Sequence, residues 1–240
     1  MKNRIGFLDA WRAAALLAMI VWHFLYDLSA AGLLPPSLPQ NGVMELFRLL
    51  IAGSFVSISG VCAALSRRPL RRGLIVFAAA LLVSAVTDLF GTPVRWGILH
   101  LLGTCMMLYA AVGKRWAALP AAAACGAALL VFALTFPLPL YVRVDAPFLF
   151  PFGLRTAAFS SADYYPLLPW AGLFFAAAAA AKRLEELPPE EKFTPAPRFF
   201  AWLSRRSLAV YLLHQPVLLA VTALLESATR GTGHPLFLGV

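Results

Sequence analysis

Charge is what this sequence has least of. Only 13% of its 240 residues are charged and 11 are acidic, whereas a soluble domain carries about a quarter charged residues. So small a supply cannot cover a water-facing surface, which excludes an ordinary soluble fold. Cysteine is also scarce: Cys62, Cys105 and Cys125 each lie inside an apolar run. An odd number so placed excludes a disulfide framework and reads as small buried side chains. Gly-rich phosphate loops, Cys-x-x-Cys pairs, zinc-type His/Glu spacings and Gly-x-Ser-x-Gly elbows are missing. The usual carriers of nucleotide-loop, zinc and serine-hydrolase chemistry are therefore absent, and no metal site is expected. Internal repeats and paired broken helices, the marks of many transporters, are absent too.

Apolar residues are abundant instead, at 61% with a mean hydropathy of +0.78. Apolar runs at 8–30, 46–65, 72–91, 94–112, 116–136, 165–182 and 204–226 each approach the roughly 20 residues that cross a bilayer as a helix. The pattern predicts an all-α polytopic membrane protein of about seven transmembrane helices in a single domain over 1–240. The first run is too long for a signal-peptide core and contains Asp9, Arg12, His23 and Asp27, so it reads as a retained span.

The net charge of +9 would suggest nucleic acid in a soluble protein. Here the basic residues sit in short loops, and they sort by side. Lys2 and Arg4, then Arg67, Arg68, Arg71 and Arg72, then Lys114 and Arg115, then Lys182, Arg183, Lys192, Arg198, Arg205 and Arg206 fall in alternate loops. Arg95, Arg143, Arg155 and Arg230 fall in the others. The positive-inside rule then predicts the N-terminus in the cytoplasm and the C-terminus outside. The expected partner is the lipid bilayer, not nucleic acid, and the expected location is the cytoplasmic membrane of the cell, crossed many times.

Ionisable groups inside spans cost several kcal/mol by insertion scales, so each calls for a partner, a watery cavity or a task. Asp9 and Arg12 are three apart on one helical face, as an ion pair or as groups reaching another helix. His23 and Asp27 are four apart and share a face, so the carboxylate can orient the imidazole as it would a general base. His100 in the fourth run lies at a depth similar to that of His23. Arg48, Asp88, Arg95, Asp163 and Tyr164 fall at the same side. A polar, outward-facing cavity accounts for such a layer better than packing does. In the last run Ser207, Tyr211 and His214 or Gln215 form a polar stripe, and Pro216 withholds the helical donor of the Leu212 carbonyl. Helix–helix hydrogen bonding is the plainer account of that stripe. Ser57, Ser59 and Gly60 read as close-packing small residues.

Four segments, in order, carry a resemblance. They are Arg4-Ile5 with Leu8-Asp9-Ala-Trp-Arg12 leading to Trp22-His23-Phe24-Leu25-Tyr26-Asp27-Leu28; Ser59-Gly60 before the arginine loop; Trp96-Gly97-Ile98-Leu99-His100 with Gly103; and Asp163-Tyr-Tyr-Pro-Leu-Leu-Pro-Trp170 with Ser207-Leu208 and Tyr211-Leu-Leu-His-Gln-Pro216. Over most of its length the chain resembles the bacterial branch of the heparan-alpha-glucosaminide N-acetyltransferase catalytic-domain family. The resemblance implies a transmembrane acyltransferase that draws acetyl from cytosolic acetyl-CoA and delivers it to an amino sugar or other glycan acceptor on the far side. Arg67, Arg68, Arg71, Arg72 and Arg12 would then meet the CoA phosphates, although the positive-inside rule alone also explains the arginine loop. His23, Asp27 and His100 would be catalytic, with a histidine acting as base or as covalent acyl carrier. Asp163, Tyr164, Arg95, Arg48, His214 and Tyr211 would face the acceptor. Ala13 stands where the family usually has glycine. The outer stretch after the first span lacks the histidine assigned to catalysis in the lysosomal member, so the role of His23 is read from its chemistry. A proton-coupled or small-molecule transporter is the alternative, and a homodimer stays open.

Overall fold

The computed structural model describes residues 5–186 and 195–232. Lys2, Arg4 and Lys192 of the charge pattern, and the Arg230 side chain, lie outside what is described. The described residues form nine α-helices and two short 3-10 turns, with no strand. Their order is α1 (Gly6–Ala30), α2 (Gly42–Ala64), α3 (Pro69–Leu89), α4 (Ile98–Ala118), α5 (Ala121–Thr135), α6 (Leu138–Tyr141), α7 (Leu167–Glu186), α8 (Arg198–Arg205) and α9 (Ser207–Thr232). Each apolar run is helical over most of its length; the fifth, expected from 116, begins only at Ala121, because α4 runs on to Ala118 and the chain breaks at Leu119 and Pro120.

Local chemistry sets the ends. The α1 helix stops at Ala31, whose N–H caps the carbonyls of Asp27 and Ser29, and Gly32 turns the chain at φ +75°. Asn41 Oδ1 accepts the Met44 N–H at 2.8 Å, an N-cap that opens α2. Proline at the first position opens α3, where its missing N–H costs nothing. Leu168, ahead of Pro169, is extended (φ −97°, ψ 124°), as a residue before proline prefers, so α7 is regular only beyond it.

Among the described residues six helical stretches are long and apolar enough to cross a membrane: Gly6–Ala30, Gly42–Ala64, Pro69–Leu89, Ala121–Tyr141 (α5 with α6), Leu167–Leu184 and Ser207–Thr229. The protein is a polytopic membrane protein. The α4 helix, with 21 residues, corresponds to the remaining expected span but is not among those six.

The chain divides inside α2 into two compact units, Met1–Ser54 with Phe193–Val240, and Phe55–Lys192. In the first unit α1 packs against α8 and α9, burying Leu8, Leu16 and Met19. In the second, α3 lies along α4, α5 lies along α7, and α4 meets α7 around Leu101, Cys105 and Phe174. Leu81 and Leu82 of α3, Leu130 and Leu134 of α5, and Leu219 and Leu224 of α9 are exposed. In water such a surface would drive aggregation; against lipid tails it is the matching surface.

Candidate functional site

Polar chemistry inside the first unit collects where α1 meets α9. His23 and Asp27 follow one another on α1 by one turn, and α9 presents His214 and Gln215. The His23 Nδ1–H donates to the Met19 carbonyl at 2.9 Å. His214 does the same on its own helix, Nδ1–H to the Tyr211 carbonyl at 2.5 Å. A carbonyl can only accept, so both rings carry the proton on Nδ1 when neutral. Both Nε2 atoms therefore present a lone pair, and the rings meet edge to face with centroids 4.8 Å apart. Trp22 lies edge-on to His23 at 5.0 Å and stacks on Tyr26 at 5.4 Å. The Tyr211 ring is 5.4 Å from His214.

Asp27 is handled differently from the sequence expectation. Its carboxylate is buried, and both oxygens accept from Gln215 Nε2 at 3.0 Å. The backbone of Met19, not Asp27, orients the His23 ring. On a helix the imidazole can reach the carbonyl four residues back, and with Asp27 taken by Gln215 the ring turns to Met19. Asp27 instead ties α1 to α9.

Three buried polar atoms in this region have no hydrogen-bond partner among the described residues: Trp22 Nε1, His214 Nε2 and Gln215 Oε1. One is a donor and two are acceptors. Buried polar atoms are nearly always paired in folded proteins, so this set is poised for a polar ligand that both donates and accepts. A neutral amine or hydroxyl offers that combination, and an imidazole lone pair can take the proton that it loses.

Nearer the start of α1, Ser204 of α8 donates to Asp9 Oδ1 at 2.8 Å and accepts from Arg12 Nη1 at 3.1 Å. The Asp9–Arg12 pair expected from the sequence is thus long, at 4.0 Å, and bridged by a buried serine. Nothing in the pattern around Ser204 marked it out. Arg48 closes a two-point pair with Glu45 on its own helix, at 2.8 and 2.6 Å.

The second unit brings His100, Arg95, Asp163 and Tyr164 together through backbone. Asp163 Oδ2 accepts the Ile98 N–H at 3.0 Å, placing a carboxylate on the positive end of α4. The Gly97 N–H donates to His100 Nδ1 at 3.2 Å, so the neutral ring carries its proton on Nε2, 3.3 Å from Ser84 Oγ. The Ser84 hydroxyl donates to the Val94 carbonyl at 2.5 Å. Both nitrogens of His100 are thereby engaged in closing the start of α4. The loop is laced by Tyr165 N–H to the Trp96 carbonyl (2.9 Å) and Ala162 N–H to that of Pro93 (3.0 Å). The Arg95 N–H reaches Ser161 Oγ at 3.0 Å, and its side chain is exposed. Tyr164 donates to the Phe150 carbonyl at 2.7 Å. Burial pushes its phenol up to about 12, against the pull of Arg155 and Arg143.

Arg67, Arg68, Arg71 and Arg72 are all exposed around the start of α3, where the helix dipole also favours an anion. Among the described residues no three His, Cys, Asp or Glu side chains are grouped to hold a metal ion.

Comparison with protein families gives a match. The family model described as heparan-alpha-glucosaminide N-acetyltransferase, catalytic, covers residues 4–216. Neither the curated proteins nor the solved structures give a match.

Proposed function

We propose that this chain, which belongs to the heparan-alpha-glucosaminide N-acetyltransferase catalytic family, is an acyl-CoA-dependent membrane acyltransferase. The donor is acetyl-CoA on the cytoplasmic side, and the acceptor is an amino sugar or other glycan hydroxyl or amine on the extracytoplasmic side of the cell membrane. Residues 1–240 act as one acyltransferase-like domain. The observation that carries the reading is the pair of imidazoles with both Nε2 lone pairs open, beside the unpaired Trp22 Nε1 and Gln215 Oε1.

In this reading His23 is the general base. The acceptor N–H or O–H gives its proton to His23 Nε2 as the acceptor atom bonds to the thioester carbonyl. The carbon–sulfur bond breaks, and the sulfur leaves with that proton as the free thiol. Trp22 Nε1 and Gln215 Oε1 hold the acceptor. His214, in ring contact with His23, offers a second lone pair to the same proton and is the position for a covalent acyl carrier if the reaction runs in two steps. Asp27 ties α1 to α9 through Gln215, and Tyr211 holds the His214 ring through its carbonyl and its own ring. His100, with both nitrogens bound, positions the loop that carries Asp163, Tyr164 and Arg95. Arg67, Arg68, Arg71, Arg72 and Arg12 are assigned to the donor phosphates, and Arg48 to the acceptor side.

The test is direct. Purified protein with acetyl-CoA and a panel of amino sugars should release free CoA in step with acceptor acylation. Solute flux in proteoliposomes with no CoA release from any acceptor would overturn the reading in favour of transport.

A further inference from the structure

The segment between α6 and α7 holds two cations that no carboxylate among the described residues balances. Arg143 and Arg155 face each other across an isolated parallel bridge, fixed by the Val144 N–H to the Arg155 carbonyl at 3.2 Å. The Arg155 guanidinium carbon lies 5.7 Å from the centre of the Tyr164 ring, and that ring is anchored by its hydroxyl on Phe150. Arg155 Nε is buried without an acceptor. Arg143 uses only Nη1, on the carbonyls of Pro139 and Val142 at 3.4 and 3.0 Å. Among the described residues neither arginine has a carboxylate partner, and Asp145, two residues from Arg143, pairs with neither. Burial, and then the charge of Arg143, draw the Arg155 guanidinium below its usual value, with Tyr164 opposing.

Two like charges held together by backbone, on an aromatic platform, with a buried donor left over, form a site for the opposite charge. Arg143 follows the membrane-crossing stretch Ala121–Tyr141 by two residues, which sets the pair at the depth of lipid headgroups. We propose that Arg143 and Arg155 form an anion site for a phosphate group, brought by a lipid headgroup or free in solution. The forked guanidinium donors suit phosphate oxygens, and the bound group would give Arg155 Nε its missing acceptor. Neither Arg143 nor Arg155 is assigned to the acyl-transfer chemistry, so the site does not rest on that reading; the Tyr164 ring beneath Arg155 is the one residue that it shares with the acceptor loop.

The full chain in neutral detergent is titrated with inorganic phosphate, with chloride holding ionic strength constant, and Tm is followed. A parallel series compares vesicles of phosphatidylcholine alone with vesicles of phosphatidylcholine and phosphatidylglycerol. Ligands that bind only the folded state raise Tm. The proposal expects wild type to be stabilised by one probe or both. The doubly changed Arg143→Gln/Arg155→Gln chain should need at least about tenfold more probe. A Lys114→Gln/Arg115→Gln chain, which loses the same charge elsewhere, should respond as wild type does. A response to phosphatidylglycerol alone identifies a lipid headgroup as the source, and a response to phosphate in detergent identifies a free or solute-borne group. If the glutamine variant cannot be purified, the Arg143→Lys/Arg155→Lys chain takes its place. It keeps the charge, loses the fork, and should bind about tenfold more weakly. No stabilisation of wild type by either probe, or an equal response from the Arg143/Arg155 variant, overturns the proposal.

Discussion

The two units treat histidine in opposite ways. In the second, His100 accepts from Gly97 through Nδ1 and reaches Ser84 through Nε2, so its ring is a piece of the helix start. In the first, His23 and His214 turn Nδ1 back onto their own helices and leave Nε2 open. All three sit in apolar helices of a membrane protein, and composition around them differs little. What separates a structural imidazole from an available one is the atom to which each nitrogen is bound. An imidazole that gives up its acceptor nitrogen to a backbone N–H cannot also act as a base without unmaking that bond.

The largest effect that would sharpen this contrast is on turnover. His23→Ala should lower kcat/KM by about 10²–10⁴-fold, the usual contribution of a positioned base, with Tm little changed. His214→Ala should follow in the same direction. His100→Ala should do the reverse: a Tm loss corresponding to about 1–3 kcal/mol for the buried groups left unpaired, with activity per folded molecule nearly retained. If His100→Ala removes turnover at unchanged Tm, the contrast is broken.

Asp163→Ala should cost about 0.5–2 kcal/mol, as loss of a helix cap does, read as a lowered Tm; Asp163→Asn should recover most of it. An unchanged Tm in the alanine variant would mean that the carboxylate does not hold the start of α4. The smallest effect concerns pH. The Tyr164 phenol is raised in the folded chain to about 12 from an unfolded value near 10. Its stabilisation is therefore whole below about pH 10 and is lost as pH rises toward 12. Tyr164→Phe should flatten the fall of Tm across that window.

The helices were legible because apolar runs of spanning length leave few alternatives. The polar layer read from the sequence stays a reading, but one of its contacts has a plain geometry: Asp163, just ahead of the sixth run, accepts the Ile98 N–H two residues before His100. The direction of each hydrogen bond was not legible. On a helix His23 can turn toward Asp27 or toward the Met19 carbonyl, and i, i+4 spacing permits both. Only the packing of α9, which brings Gln215 to Asp27, decides between them. Ser84 and Ser204 were invisible for a different reason. A hydroxyl in an apolar run looks like a small filler until the partner across the interface is known.

The α3–α4 contact carries a last consequence. A methyl placed on Gly73 would stand 2.9 Å from the Gly103 carbonyl oxygen, and one on Gly103 would stand 2.8 Å from the Phe77 nitrogen. One turn further along, the same faces carry Phe77 and Met107. A slide of either helix by a turn, about 5.4 Å, would drive a large side chain into a gap cut for hydrogen. The seam therefore has one registration and no sliding mode. Any shape change this unit undergoes must bend the chain elsewhere, while α3 and α4 travel as a single rigid blade.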